Sequence, residues 1–266
     1  MADTQHLKSW EDSLPSVSLN VRGTEFSFVI PNAKARWVAD NVESREPEVY
    51  EWIDANLNPD SLLIDVGANF GLYSLYAAKK KDCKVISFEP HFASYYIFSR
   101  NIIVNDLSSN IALFPYAITN SPNLRTVFQL KDLSAGKALN TLANNSDLDN
   151  IINRDIKNLG SKVGSNLTQP FLQPVISTSI DTFLENYIDQ SSLKLFNNVA
   201  FKIDVDGLDF LVVTGALNSL RIINKLIVEF LPDQISMHQL IPHLTKQYGF
   251  KIVKRTKVNL ILERSL

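Results

Sequence analysis

The chain has 266 residues, 45% of them hydrophobic, and a formal net charge of −2. That length fits one large domain or one domain with appendages, and that much apolar side chain excludes a disordered chain. The near-zero charge excludes the electrostatic footprint of a nucleic-acid or anionic-membrane binder, so neither partner is expected.

The single cysteine, Cys83, leaves no disulfide within the chain and no cysteine-based metal cluster,. A reducing compartment follows from that usage. The opening "MADTQHLKSWEDSLPS" is polar and acidic and lacks the basic-then-apolar pattern of a signal peptide,. No apolar run has the length of a bilayer span. The expectation is a cytoplasmic protein.

In chain order, residues 17–30 alternate apolar and polar about Arg22-Gly23, which predicts a hairpin,. Residues 46–57 have apolar side chains at helical spacing, and "NPD" at 58–60 ends them,. Residues 1–58 therefore read as an N-terminal extension of hairpin and helix, with the main domain over 59–266. There, strand-like "LLIDV" (62–66) leads to helix-like 70–80. Strand-like "KVISFE" (84–89) leads to helix-like 92–105 and then to a strand over 111–118. This alternation predicts parallel strands joined by crossover helices. Residues 131–169 are rich in Asn, Ser and Asp and read as a polar insertion with one or two short helices, such as 147–158. The alternation resumes with a short strand and helix over 175–187, a strand and turn over 198–207 and a helix over 208–220. A strand over 225–232 follows, and 250–264 forms an antiparallel pair at the sheet edge,. The basic stretches at 79–81 and 251–257 read as a solvated helix end and strand face.

Three stretches carry chemistry. The first is Asp65 to Gly71, "DVGANFG", where a strand feeds a helix. Ligands bind there in open parallel sheets, beyond the strands' carboxyl ends. Gly67 permits a positive φ and close approach of a ligand, and the N–H groups at Phe70 and Gly71 attract anionic groups. Plain strand–helix packing explains small residues there as well. The second is Glu89, which lies 24 residues after Asp65 at the end of the next strand. A carboxylate so placed accepts hydrogen bonds from the ribose hydroxyls of an adenosyl ligand. Dinucleotides favour G-x-G-x-x-G, and the run here is G-A-N-F-G; S-adenosylmethionine (SAM), which has no pyrophosphate, suits it better. The third is "FKIDVDG", residues 201–207, in which Lys202, Asp204 and Asp206 alternate along one strand face,. It reads as an active-site edge, or as a Lys–Asp pair with a helix cap from Asp206.

Together these stretches resemble the FkbM family of SAM-dependent methyltransferases. Asp65 to Gly71 is similar to the family's D-V-G-A-N-x-G, Phe88-Glu89-Pro90 to F-E-P, and Lys202 to Gly207 to K-I-D-V-E-G. Val213 to Ala216 is similar to the helix end L-x-G-A, "STSIDTFL" (177–184) to T-x-L-D-x-L, and "EPE" (46–48) to an acidic segment ahead of the glycine turn. Asp206 departs from the family's usual Glu, and the insertion carries no motif of the family.

The resemblance implies a Rossmann-like, doubly wound, seven-stranded, mainly parallel sheet. It implies SAM as cofactor and methyl transfer to a hydroxyl of a sugar, glycan, polyketide or other small metabolite. Asp65, Gly67, Ala68, Asn69 and Gly71 then face the methionine tail, Glu89 and Pro90 the ribose, and Ala117 the adenine side. Asp204 or Asp206 serves as base or orients the amino group. Lys202 stabilises an alkoxide or pairs with the acids, and Glu229 is a further catalytic candidate. Mg²⁺ on Asp204, Asp206 and Glu229 is an alternative that is not favoured, and no metal is expected. His6, His91, His238 and His243 each read first as surface residues, although His91 follows the ribose acid and can approach the cofactor, and His238 and His243 could face a substrate mouth. An NAD-type oxidoreductase on a related fold and a SAM-binding scaffold without turnover are the competing classes. The oligomeric state has no signature in the sequence.

Overall fold

The computed structural model describes residues 13–130, 132–136, 141–143, 171–230 and 235–265. Strands β1 (Ser16–Val21) and β2 (Thr24–Val29) form the expected hairpin, with Arg22 and Gly23 both at positive φ, 48° and 77°. Two such residues give the turn whose twist matches that of the strands it joins. The free edge of β2 is covered by side chains. Asn101 Oδ1 accepts the Val29 N–H (2.8 Å), and Asn105 Oδ1 accepts the Ser27 N–H (2.7 Å), so this edge cannot pair with another chain. Helix α1 (Ala33–Asp40), capped by Asn32, has no counterpart in the sequence reading; α2 (Pro47–Asn56) matches its prediction.

Strand β3 (Ser61–Val66) leads through α3 (Leu72–Lys81) to β4 (Lys84–Phe88), and α4 (Phe92–Val104) leads to β5 (Ile111–Phe114). The chain then leaves this sheet for β6 (Ala117–Ile118), β7 (Asn123–Leu130), β8 (Thr141–Ala143) and β9 (Phe171–Thr178). It returns through α5 (Ile180–Tyr187) and α6 (Gln190–Leu193) to β10 (Asn198–Ile203). Helix α7 (Asp209–Thr214), β11 (Lys225–Glu229), α8 (Ile235–Gln247), β12 (Lys251–Arg255) and β13 (Asn259–Glu263) complete it.

The main sheet has seven strands in the order β12-β13-β11-β10-β3-β4-β5. The five strands from β11 to β5 are parallel, and β13 and β12 add the antiparallel pair. The doubly wound, mainly parallel sheet is therefore as expected. The chain order reverses between β3 and β10, which opens a crevice at their carboxyl ends. Along β3, Leu63 packs into one core with Tyr76 and Phe98, whereas Leu62, Ile64 and Val66 pack into the other with Phe183 and Phe201. Hairpin residues such as Val21 and Phe28 belong to the first of these cores.

Several expectations need correction. The strand over 111–118 is two strands in two sheets. Pro115, which has no N–H for a ladder, stands between them,. Strands β6 to β9 form a separate four-stranded sheet, order β6-β9-β7-β8, and β7 has no counterpart in the sequence reading. The helix over 208–220 ends at Thr214, and Gly215 at its C-cap packs so close that a Cβ would lie 2.1 Å from the Thr119 carbonyl oxygen. Helix α8 escapes a periodicity search because Pro242 lies inside it. The helix expected at 147–158 lies outside the described residues. Among the described residues, no helix is long and apolar enough to cross a membrane.

Candidate cofactor and acceptor site

A cleft opens at the carboxyl ends of β3, β4, β10 and β11. Of the residues expected in a site, Gly67, Ala68, Asn69, Glu89, Pro90, Ala117, Lys202, Asp204, Asp206 and Glu229 line it; Asp65 and Gly71 do not.

The glycines have a packing reason. A Cβ on Gly67 would lie 1.9 Å from the Asp204 carbonyl oxygen, and one on Gly71 would lie 1.9 Å from the Phe98 ring. The first glycine admits the neighbouring turn and the second admits α4. Gly71 also spends its N–H on the Ala68 carbonyl (2.7 Å), so the expected anion donor at Gly71 is absent. Asn69 takes a left-handed φ of 53° and donates its N–H to Glu89 Oε2 (2.7 Å). Its side-chain Oδ1 is buried without a partner.

Asp65 is buried and belongs to a charge web. Strands β3 and β10 set Lys202 opposite Asp65, and Lys202 Nζ donates to Asp65 Oδ1 (3.2 Å) and to Asp204 Oδ2 (3.4 Å). Ser74 Oγ donates to Asp65 Oδ2 (2.6 Å) and lies 2.9 Å from Ser87 Oγ. Asp65 is thus the buried counter-ion of Lys202. Burial works against the Lys202 charge, but Asp65, Asp204 and Glu46 outweigh it and hold its pKa above the usual value. The ammonium also lies 5.2 Å from the centre of the Tyr73 ring.

Three carboxyls facing the cleft are pushed upward. Burial raises Glu89 to about 7, against the N–H groups of His91 and Asn69. Burial, and then Asp204, raises Glu229 to about 8, and its Oε2 has no partner. Glu46 is raised by burial and then by Asp204. In the turn after β10, Asp206 is exposed at φ 50° and does not cap α7. Buried Asp209 orders this turn instead. It accepts the N–H groups of Val205 (3.2 Å) and Gly207 (3.1 Å).

His91 is not the surface residue expected: it is buried at the cleft, and burial lowers its pKa to about 4. His243 packs on Tyr248, with ring centres 5.3 Å apart, and does not line the cleft. His6 and the side chain of His238 lie outside the described residues. Among the described residues, no group of three or more His, Cys, Asp or Glu could hold a metal ion. Lys34, Arg45, Glu46 and Tyr73 also line the cleft and are missing from the sequence reading. The "EPE" segment could have flagged Glu46, and Tyr73 is the second residue of α3, just past the glycine turn. Nothing in the sequence marks Lys34 or Arg45.

Residues 65–252 match the family model described as the Methyltransferase FkbM domain. Over 68 residues the chain is 37% identical to the methyltransferase sdnD of Sordaria araneosa, covering 25% of this chain and 26% of that protein. Over 212 residues it is 26% identical to the AMB antimetabolite synthetase AmbE of Pseudomonas aeruginosa, covering 77% of this chain and 9% of that protein. The chain thus spans only 26% and 9% of the length of these curated relatives. Among solved structures it is similar to a methyltransferase FkbM from Methylobacillus flagellatus KT, with 13% identity and a TM-score of 0.44 over 86% of this chain and 53% of that one. It is also similar to a magnesium protoporphyrin IX methyltransferase from Synechocystis PCC 6803 with bound SAM, with 12% identity and a TM-score of 0.43 over 88% of this chain and 85% of that one. The matched span begins at Asp65 and takes in Glu89, Lys202 and Glu229; the chain belongs to the FkbM methyltransferase family, whose cofactor is SAM.

Proposed function

We propose that the chain transfers a methyl group from SAM to a hydroxyl oxygen of a small molecule, with sugar and glycan hydroxyls as the leading acceptors. The observation that carries this reading is a set of buried polar atoms left without partners in one cleft: Asn69 Oδ1, Tyr73 Oη, His91 Nε2 and Glu229 Oε2. Buried polar atoms in a native fold pair with something, so this set asks for a polar ligand. Acceptors and donors both occur in it, which suits a nucleoside with an amino-acid tail.

In this reading Glu89 accepts from the ribose hydroxyls, and Pro90 and Ala117 wall the adenosine. The turn at Gly67, Ala68 and Asn69 faces the methionine tail, and Asp204 accepts from its ammonium group. The bound cofactor supplies a methyl group already activated on a sulfonium. The remaining task for the protein is alignment, worth up to roughly 7–11 kcal/mol. Glu229 takes the proton of the acceptor hydroxyl, a base contribution of about 10²–10⁴-fold. Lys202 keeps its charge, orients Asp204 and favours a developing alkoxide. Asp206, exposed at the cleft, contacts the acceptor. Lys34, Arg45 and Glu46 from the N-terminal extension shape acceptor choice. The printed name of AmbE, an antimetabolite synthetase, accords with a small-molecule acceptor.

Calorimetry with SAM and with NAD tests the cofactor, and formation of S-adenosylhomocysteine (SAH) with a panel of hydroxylated acceptors tests turnover. Tight NAD binding with no response to SAM overturns the reading. Glu89→Ala should weaken SAM binding by about tenfold or more; unchanged affinity removes its ribose role.

A further inference from the structure

His91 is the N-cap of α4, a place usually taken by Ser, Thr, Asp or Asn,. Its Nδ1 accepts the Ser94 N–H (3.3 Å) and lies 3.1 Å from Ser94 Oγ, which itself accepts the Gly136 N–H (3.0 Å). A ring nitrogen that accepts carries no hydrogen, so the neutral imidazole holds its proton on Nε2. Protonating Nδ1 would break the helix cap. The Nε2–H is thus an oriented donor. It is buried without a partner in a side chain only 2% exposed, and the residue lines the cleft.

Two residues earlier stands its chemical complement. Glu89 Oε1 accepts the His91 N–H (2.8 Å) and Oε2 accepts the Asn69 N–H (2.7 Å), and each oxygen retains a lone pair,. Glu89, when ionised, can only receive hydrogens, and His91 Nε2 can only give one. A ribose hydroxyl needs both, since it has one hydrogen to donate and lone pairs to fill.

We propose that His91 Nε2–H donates to a ribose hydroxyl oxygen of SAM, so that Glu89 and His91 grip the ribose as an acceptor–donor pair. This rests on the reading of the cleft as the SAM site. His91 is then a cofactor-binding residue whose tautomer is set by the helix it caps.

The variant His91→Asn isolates the donor, because Asn keeps a side-chain oxygen for the cap and cannot extend an N–H to the Nε2 position. Titration calorimetry compares SAH with its 2′,3′-dideoxyribose analogue on wild type and variant. The expected result is a loss of about tenfold for SAH on His91→Asn and little loss for the analogue. Nitrogen-15 NMR of the free protein should show the Nε2-protonated tautomer, with the Nε2 signal moving when SAH is added. Equal losses for both ligands overturn the proposal, as does a ring protonated on Nδ1. No SAH binding by the wild-type protein removes the SAM reading and the proposal with it; a wrong tautomer alongside normal SAH binding removes the proposal alone.

Discussion

The turn after β3 and the turn after β10 leave adjacent parallel strands at paired residues, Val66 and Ile203. Both bend through left-handed residues: Gly67, Asn69 and Gly71 in the first, Asp206 and Gly207 in the second. Each is held by a buried carboxylate: Glu89 accepts one turn N–H, that of Asn69, and Asp209 accepts two, those of Val205 and Gly207. Glu89 reaches the first from the next strand, and Asp209 reaches the second from the following helix. They differ in what their side chains do. The first turn carries no charge, and its missing Cβ atoms let Asp204 and Phe98 close in. The second turn keeps Asp204 and Asp206 on the cleft. One turn is thus a close-packed floor and the other a charged wall, and Lys202 ties them together through Asp65 and Asp204.

The largest break in this comparison should come from Lys202→Met. It strands Asp65 as a buried charge, and losing one partner of such a pair costs about 3–5 kcal/mol. Urea unfolding measures the loss, and adding Asp65→Asn should restore much of it.

Glu229→Gln tests the wall as chemistry. Turnover should fall by about 10²–10⁴-fold while SAH affinity stays the same. In the wild type, kcat/KM should rise with pH through the Glu229 pKa of about 8. Stability runs the other way. A carboxyl whose folded pKa is raised from 4.5 to about 8 contributes stability below pH 4.5 that is lost as pH rises towards 8,. Thermal unfolding of the ligand-free protein should therefore show the variant gaining on the wild type between pH 5 and 8.

Gly67→Ala tests the floor. Its Cβ meets backbone 1.9 Å away, and its φ of +82° disfavours any side chain. Overpacking of this kind costs about 1–3 kcal/mol, and left-handed strain adds to it. SAH binding should weaken in parallel. The opposite exchange in the wall, Asp206→Gly, should be the smallest change. It relieves a left-handed non-glycine residue, so stability should stay level or rise by at most about 1 kcal/mol. A loss as large as that of Gly67→Ala would show that the two turns are built alike.

Much of the floor is legible in the sequence. Alternating strands and helices located β3, β4, β10 and β11, and the glycine turn and Glu89 fell at strand ends where clefts form. The second sheet was not legible, because its pairings join residues far apart in the chain, such as Thr126 with Val175. Nor was Tyr73, whose spacing fits an ordinary core aromatic. Glu46 and Arg45 come to the cleft through a left-handed N-cap on α2, a conformation unmarked by a glycine.

By itself the sequence determined what local chemistry can determine. Period sets the elements, Gly67 marks a turn that needs a positive φ, and a spacing of 24 residues from Asp65 puts Glu89 at the next strand end. Tertiary structure decided which charges meet ligand and which meet each other. Asp65 lies within β3, and Asp204 follows the last residue of β10. The register of β3 against β10 buries Asp65 under Lys202 and leaves Asp204 on the cleft. The same long-range packing gave the glycines their neighbours and His91 its proton. Burial and pairing depend on what the rest of the chain brings alongside, and no local window of sequence contains that.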